Sequence, residues 1–155
     1  VINLSKSLFT LLAIASLSGD LNAETALKGQ WLTDLDGQTL LDPQTSGVTY
    51  RKGELVVIGD QSAHESTRMK LFRIDPATGD SVTQPIQITV AENLKSSCFY
   101  GYLSDKPDFE ALTWDRIDET TLITVTEDAS AYELSPECKK RFSQTNSTSY
   151  PSLLL

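Results

Sequence analysis

A strand–turn–strand pattern that occurs twice limits what this chain can become. Ser46 to Ile74 runs SGVTYRKGELVVIGDQS, a polar gap, then MKLFRI. Phe109 to Leu134 runs FEALTWDRIDETTLITVTEDASAYEL. Thr49-Tyr50 aligns with Thr113-Trp114, and Leu55–Asp60 (LVVIGD) aligns with Leu122–Glu127 (LITVTE). Ile74-Asp75-Pro76 aligns with Leu134-Ser135-Pro136. The offset between copies drifts, as it does when structural repeats carry variable loops. Neither unit buries an apolar face alone, so the two are expected to stack. The pattern predicts an all-β fold of antiparallel sheets arranged as β-propeller-like blades, about two of them, in an incomplete ring. Two ordinary hairpins that resemble each other by chance are the plainer reading.

In the first unit Lys52-Gly53 supplies the turn, and Leu55-Val56-Val57-Ile58 is an unbroken apolar run suited to a strand buried on both faces. Leu71-Phe72-Arg73-Ile74 reads as the third strand, and Asp75–Asp80 as a turn cluster. Ile86-Gln87-Ile88-Thr89-Val90 alternates and predicts an outer fourth strand. Blade one then spans about 46–90 and blade two about 109–155. Upstream, a strand is expected near Gly29–Leu35, followed by a turn at Asp36-Gly37. Phe99, Tyr100, Tyr102, Phe109 and Trp114 concentrate aromatic surface between the units. Packing against the next blade accounts for them more simply than a ligand platform does. Glu137–Tyr150 is polar, and Ser152–Leu155 begins another apolar run.

Val1–Ala23 reads as a signal peptide: Lys6 gives positive charge, Leu8–Leu17 an apolar core, and Leu21-Asn22-Ala23 a cleavage site before Glu24. A buried amphipathic helix is the competing reading. The apolar core is too short for an ordinary membrane span, so no span is expected in residues 24–155, and the protein is expected to be periplasmic or secreted. With 155 residues and 39% apolar content the chain can bury a core as one domain. Its formal charge of -8 disfavours nucleic-acid partners, which require phosphate neutralisation. Lys139-Lys140-Arg141 is the one basic run after the leader. Export permits a Cys98–Cys138 disulfide that closes the ends of the second unit, and two free buried thiols are the alternative.

No phosphate-binding glycine loop, HExxH, GxSxG or paired CxxC motif occurs. The chemistry-bearing residues are carboxylates at strand ends: Asp60, Asp108, Glu110, Glu127 and Asp128. Asp60 and Glu127 hold equivalent places in their units, and Glu110 sits at the start of the second. Carboxylates crowded at a channel mouth repel one another unless a cation joins them. Asp60, Glu110 and Glu127 are therefore the candidate metal ligands, and calcium, which takes several oxygen donors, is the expected ion. Glu110 as general base is the catalytic candidate, with His64, the sole histidine, as a second. Coincidence among 21 acidic residues, and a surface or hydrogen-bonding role for His64, are the structural alternatives.

Ser46–Tyr50 with Leu55–Asp60, then Asp108–Trp114 with Thr121–Asp128, resembles the opening of the secreted phytase-like ("esterase-like activity of phytase") β-propeller family. The likeness covers about Gly47 to Leu155, and Ala111 departs from the Gly usual there. The resemblance implies a six- or seven-bladed ring, export, and hydrolysis of phosphoesters or esters at a metal-lined mouth, acting on a small anionic or ester substrate. It places the functional role on Glu110, and more weakly on Asp60 and Glu127. Two blades do not close a ring, so residues 24–155 are expected to be the N-terminal part of a larger propeller, and exposed strand edges to invite self-association. The competing function is a noncatalytic exported binding or scaffold module, which predicts partner binding without turnover.

Overall fold

The computed structural model describes residues 29–127, 129–145, 149–150 and 152–155. The signal-peptide reading of 1–23 and the carboxylate of Asp128 lie outside these residues. Strands β1 (Thr45–Arg51), β2 (Glu54–Gly59), β3 (Lys70–Ile74) and β4 (Ile86–Gln87) form one antiparallel meander in chain order. Lys52 and Gly53 both take positive φ, +51° and +90°, which is the backbone a two-residue turn between twisted strands demands. β2 is buried on both faces, as its unbroken apolar run predicts. Val57 packs with Phe72, Ile74 and Leu40 on one side, and Val56 and Ile58 pack with Phe109 and Leu112 on the other. Each such side chain contributes about 1.5–3 kcal/mol by leaving water.

The second unit departs from the expectation. β5 (Phe109–Trp114) and β6 (Leu122–Thr126) form only a hairpin. β7 (Ala129–Glu133), expected as its third strand, pairs instead with β8 (Ser149–Tyr150). The outer edge of β6 is taken by the C-terminal segment: Thr124 and Leu155 exchange backbone hydrogen bonds at 2.9–3.0 Å, and Thr126 N–H donates to Leu153 O at 2.9 Å.

Two short helices form where the sequence suggested a connector and a polar stretch. α1 (Tyr100–Asp105) occupies the aromatic connector, and α2 (Pro136–Arg141) follows β7. α2 has a complete set of end signals. The Ser135 hydroxyl accepts from Cys138 N–H, Pro136 opens the helix, Glu137 lies in the first turn, and Lys139, Lys140 and Arg141 lie in the last. The Cys98–Cys138 disulfide forms and ties the chain just before α1 to α2. Around it Tyr102, Leu103 and Leu134 make a separate small core with Phe99, Phe142 and Leu153 packed on its margin.

The all-β propeller expectation is therefore corrected: these are small open sheets with two helices, not blades set in a ring. The β5–β6 hairpin has its β6 edge closed by the C-terminal segment, and the next strand, β7, pairs with β8 instead, so the hairpin does not grow into a four-stranded blade. The expected likeness to the phytase-like propellers falls with it. Two smaller expectations also shift. The strand near Gly29–Leu35 is reduced to a bridge from Thr33 to Thr39 and Asp80. The fourth strand pairs over Ile86–Gln87, with one further bond from Ile88 N–H to Met69 O at 2.8 Å, and Val90 packs beside the Tyr102–Leu103–Leu134 cluster.

The two hairpins meet closely. A Cβ added to Gly47 of β1 would stand 2.7 Å from Ile58 Cγ2 and 3.1 Å from the Ala111 carbonyl carbon, so glycine permits this approach. Arg51, on β1, lays its guanidinium 4.6 Å from the centroid of the Trp114 ring and pairs with Glu119 in the β5–β6 turn. No helix among the described residues is long and apolar enough to cross a membrane.

Candidate metal centre

Both hairpins break register at the same place, their first residues. β1 holds an extra residue, Ser46, between the Thr45–Gly59 and Gly47–Ile58 pairs. β5 holds Glu110 between the Phe109–Thr126 and Ala111–Val125 pairs. Such bulges bend a strand and re-aim one side chain. The Ser46 hydroxyl donates to Phe109 O, so the two bulges brace each other. Beyond the β5 bulge the ladder resumes: Glu127 N–H donates to Asp108 O at 2.8 Å. Asp108 and Glu127 therefore stand opposite each other, with Glu110 beside them.

One carboxylate oxygen from each of Asp108, Glu110 and Glu127 lies within 4.8 Å of the others. Asp108 is buried, at 6% exposure, while Glu110 and Glu127 face solvent. The buried carboxylate is held from the first sheet: Gln61 Nε2 donates to Oδ2 at 2.6 Å and Gln61 N–H to Oδ1 at 3.3 Å. From the other side the Tyr102 hydroxyl joins both backbones. It accepts from Asp108 N–H at 2.9 Å and donates to Glu127 O at 3.2 Å, with its ring fully buried. Burial, and then the charges of Asp108 and Glu127, push the Tyr102 hydroxyl's pKa above its usual value, although the bond from Asp108 N–H opposes this.

Glu110 carries the electrostatic signature of the site. Partial desolvation raises its carboxyl above the ordinary range, and the charges of Asp108, Glu127 and Asp60 raise it further. A cation among these oxygens would remove that cost. The donors are all hard oxygens, and neither cysteine is free to contribute.

The predicted ligands divide. Glu110 and Glu127 are brought together as expected. Asp60 adds to the charge felt by Glu110, but its Oδ1 accepts from the Ser62 N–H and hydroxyl, both at 2.6 Å, and it stands outside the trio. Asp108 takes the third place. His64 lies in the β2–β3 loop, where its Nδ1 accepts from Ser66 N–H at 3.1 Å and meets the Ser66 hydroxyl at 2.8 Å; it is not one of the trio. Gln61 and Tyr102 carry no motif that marks them as the supports of Asp108. The local signal available was positional, since Asp108 pairs with Glu127 as Gln44 pairs with Asp60, whose N–H donates to Gln44 O at 3.0 Å.

No protein-family model, no curated protein and no solved structure matches the chain. Without a ring there is no channel mouth, so the expected hydrolysis of phosphoesters or esters there is withdrawn along with the propeller. What remains is a carboxylate group able to chelate a divalent metal.

Proposed function

We propose that this protein binds a divalent cation at Asp108, Glu110 and Glu127, and that the ion is calcium. The observation that carries the reading is the approach of three carboxylate oxygens to within 4.8 Å at the β5 bulge, where Glu110 feels the like charges of Asp108, Glu127 and Asp60. Calcium suits an all-oxygen set with two solvent-facing members, because waters can complete its six to eight ligands and its geometry is forgiving. Magnesium demands a stricter octahedron and gives up water reluctantly. Three protein carboxylates, two of them facing solvent, favour the weak end of calcium affinities, about 10⁻⁴–10⁻³ M. The Cys98–Cys138 disulfide supports export to the periplasm or cell exterior, where calcium is held at such levels and disulfides persist.

Isothermal titration of the full chain with calcium and with magnesium tests this. One site per chain with calcium preferred, lost in both Glu110→Gln and Asp108→Asn, is the expected result. Absence of calcium binding up to several millimolar, or binding that both variants retain, refutes it.

A further inference from the structure

The outer edge of β6 carries a strand that the chain supplies from further along. Segment 152–155 lies antiparallel to it, with Leu154 opposite Val125. Thr124 N–H donates to Leu155 O at 3.0 Å, and Leu155 N–H donates back to Thr124 O at 2.9 Å. Thr126 N–H donates to Leu153 O at 2.9 Å, and Leu153 N–H donates to the Thr126 hydroxyl at 3.0 Å. Thr126 is fully buried, so its hydroxyl is a fixed acceptor at the end of the seat.

Three observations mark this seat as exchangeable. The hold on the segment is thin. The net gain from a hydrogen bond is close to what ordering one residue's backbone costs, so these bonds do little more than offset the fixing of the segment. Leu153 packs beside the Tyr102–Leu103–Leu134 cluster, but Leu154 and Leu155 stay 76% and 41% exposed. Local opening starts where apolar contacts are few. Next, the edge beneath is unguarded. β6 reads LITVT, with neither the charge nor the proline that keeps an edge from pairing with another chain. Finally, Ala111, Val125 and Leu154 stand in line across the three strands, exposed and uncharged. On a chain of net charge -8, such a face lets two copies approach without repulsion.

We propose that segment 152–155 is an exchangeable strand, and that the β6 edge takes the same segment from a second copy in a reciprocal dimer. A second copy is the fitted occupant because its segment brings the same N–H donors at the same spacing and the same Leu153 side chain. Every bond of the closed chain is then remade between copies. Reciprocal exchange closes on itself and leaves no edge to grow into a filament.

Sedimentation of the full chain up to millimolar concentration is expected to show the mass rising towards about twofold by mass action. Val125→Cys/Leu154→Cys places a thiol on each side of the exposed pair. Oxidised in a mixture of isotope-labelled and unlabelled chains, it is expected to give linked 125–154 peptides of mixed label in the dimer fraction. Leu153→Pro/Leu155→Pro deletes both N–H donors and is expected to weaken the dimer by about tenfold or more. The cysteine variant reads exchange whether or not the proline variant folds. A chain that stays monomeric across the range overturns the proposal. So does a dimer whose 125–154 links all lie within one chain, which would be face-to-face packing. A dimer that the folded proline variant keeps overturns it too, since bare β6 edges would then be pairing directly.

Discussion

Cutting the Cys98–Cys138 bridge is the perturbation whose size follows most directly from the structure. The bridge closes a loop with a sequence separation of 40, for which the chain-entropy model gives about 4 kcal/mol of stabilisation at 25 °C. The same bridge ties the chain just before α1 to α2 beside the core of Tyr102, Leu103 and Leu134, and Tyr102 in turn bonds the backbones of Asp108 and Glu127 in the candidate metal site. With a urea dependence of about 2 kcal/mol per molar, the midpoint of unfolding should fall by about 2 M. The assay is urea unfolding followed by far-ultraviolet circular dichroism, on the oxidised protein, the reduced protein and the Cys98→Ala/Cys138→Ala variant. Reduction removes the cross-link alone, and the double variant also removes the sulfur atoms packed near Leu134. The reduced protein and the variant should therefore agree to within about 1 kcal/mol. A midpoint that moves by less than about 0.5 M in both, with the bond verified by mass spectrometry, would refute loop closure as the source of stability.

The same frame gives three further expectations. Tyr102→Phe strips the partner from the buried Asp108 N–H and should cost about 1–3 kcal/mol in thermal or urea unfolding, and it should weaken calcium binding as the Asp108–Glu127 spacing relaxes. Gly47→Ala pushes a methyl into Ile58 and the Ala111 backbone, and should destabilise by about 1–3 kcal/mol, read from the urea midpoint. Glu110→Gln should stabilise the metal-free protein at pH 7 by less than about 1 kcal/mol, since exposed like charges are screened. Its carboxyl is raised on folding, so the wild type pays no penalty below the unfolded value of about 4.5, and loses stability as pH rises through the folded-state value. The difference between wild type and Glu110→Gln in melting temperature should accordingly vanish in acid; a gap that persists there would show another cause.

The first sheet was legible because its residues state their conformation locally. Leu55–Ile58 is β-branched and apolar throughout all but one position, Lys52-Gly53 is a turn by backbone preference alone, and the pairing register follows from both. The second half depends on contacts distant in sequence. Cys98–Asp105 is too short for a helical period to show, and α1 is fixed by a tether 40 residues away. α2 did announce itself, through Ser135-Pro136-Glu137 at one end and Lys139-Lys140-Arg141 at the other, but its polarity resembles that of a loop. The site divides along the same line. Equivalence between the hairpins pointed to Asp60 and Glu127, and position at the start of the second unit pointed to Glu110. The choice of Asp108 over Asp60 rests on a bulge and on Gln61 reaching across from the first sheet, neither of which a pattern of residue types encodes.

The stacking of Arg51 on Trp114 gives the junction between the hairpins its own optical gauge. Trp114 is partly covered, with its indole Nε1 buried and lacking a partner among the described residues, whereas Trp31 stands 79% exposed. The two emit from different surroundings, and acrylamide should silence Trp31 first. Any event that parts Arg51 from Trp114 would then shift the remaining emission to the red, so opening at this seam can be watched in an unlabelled protein.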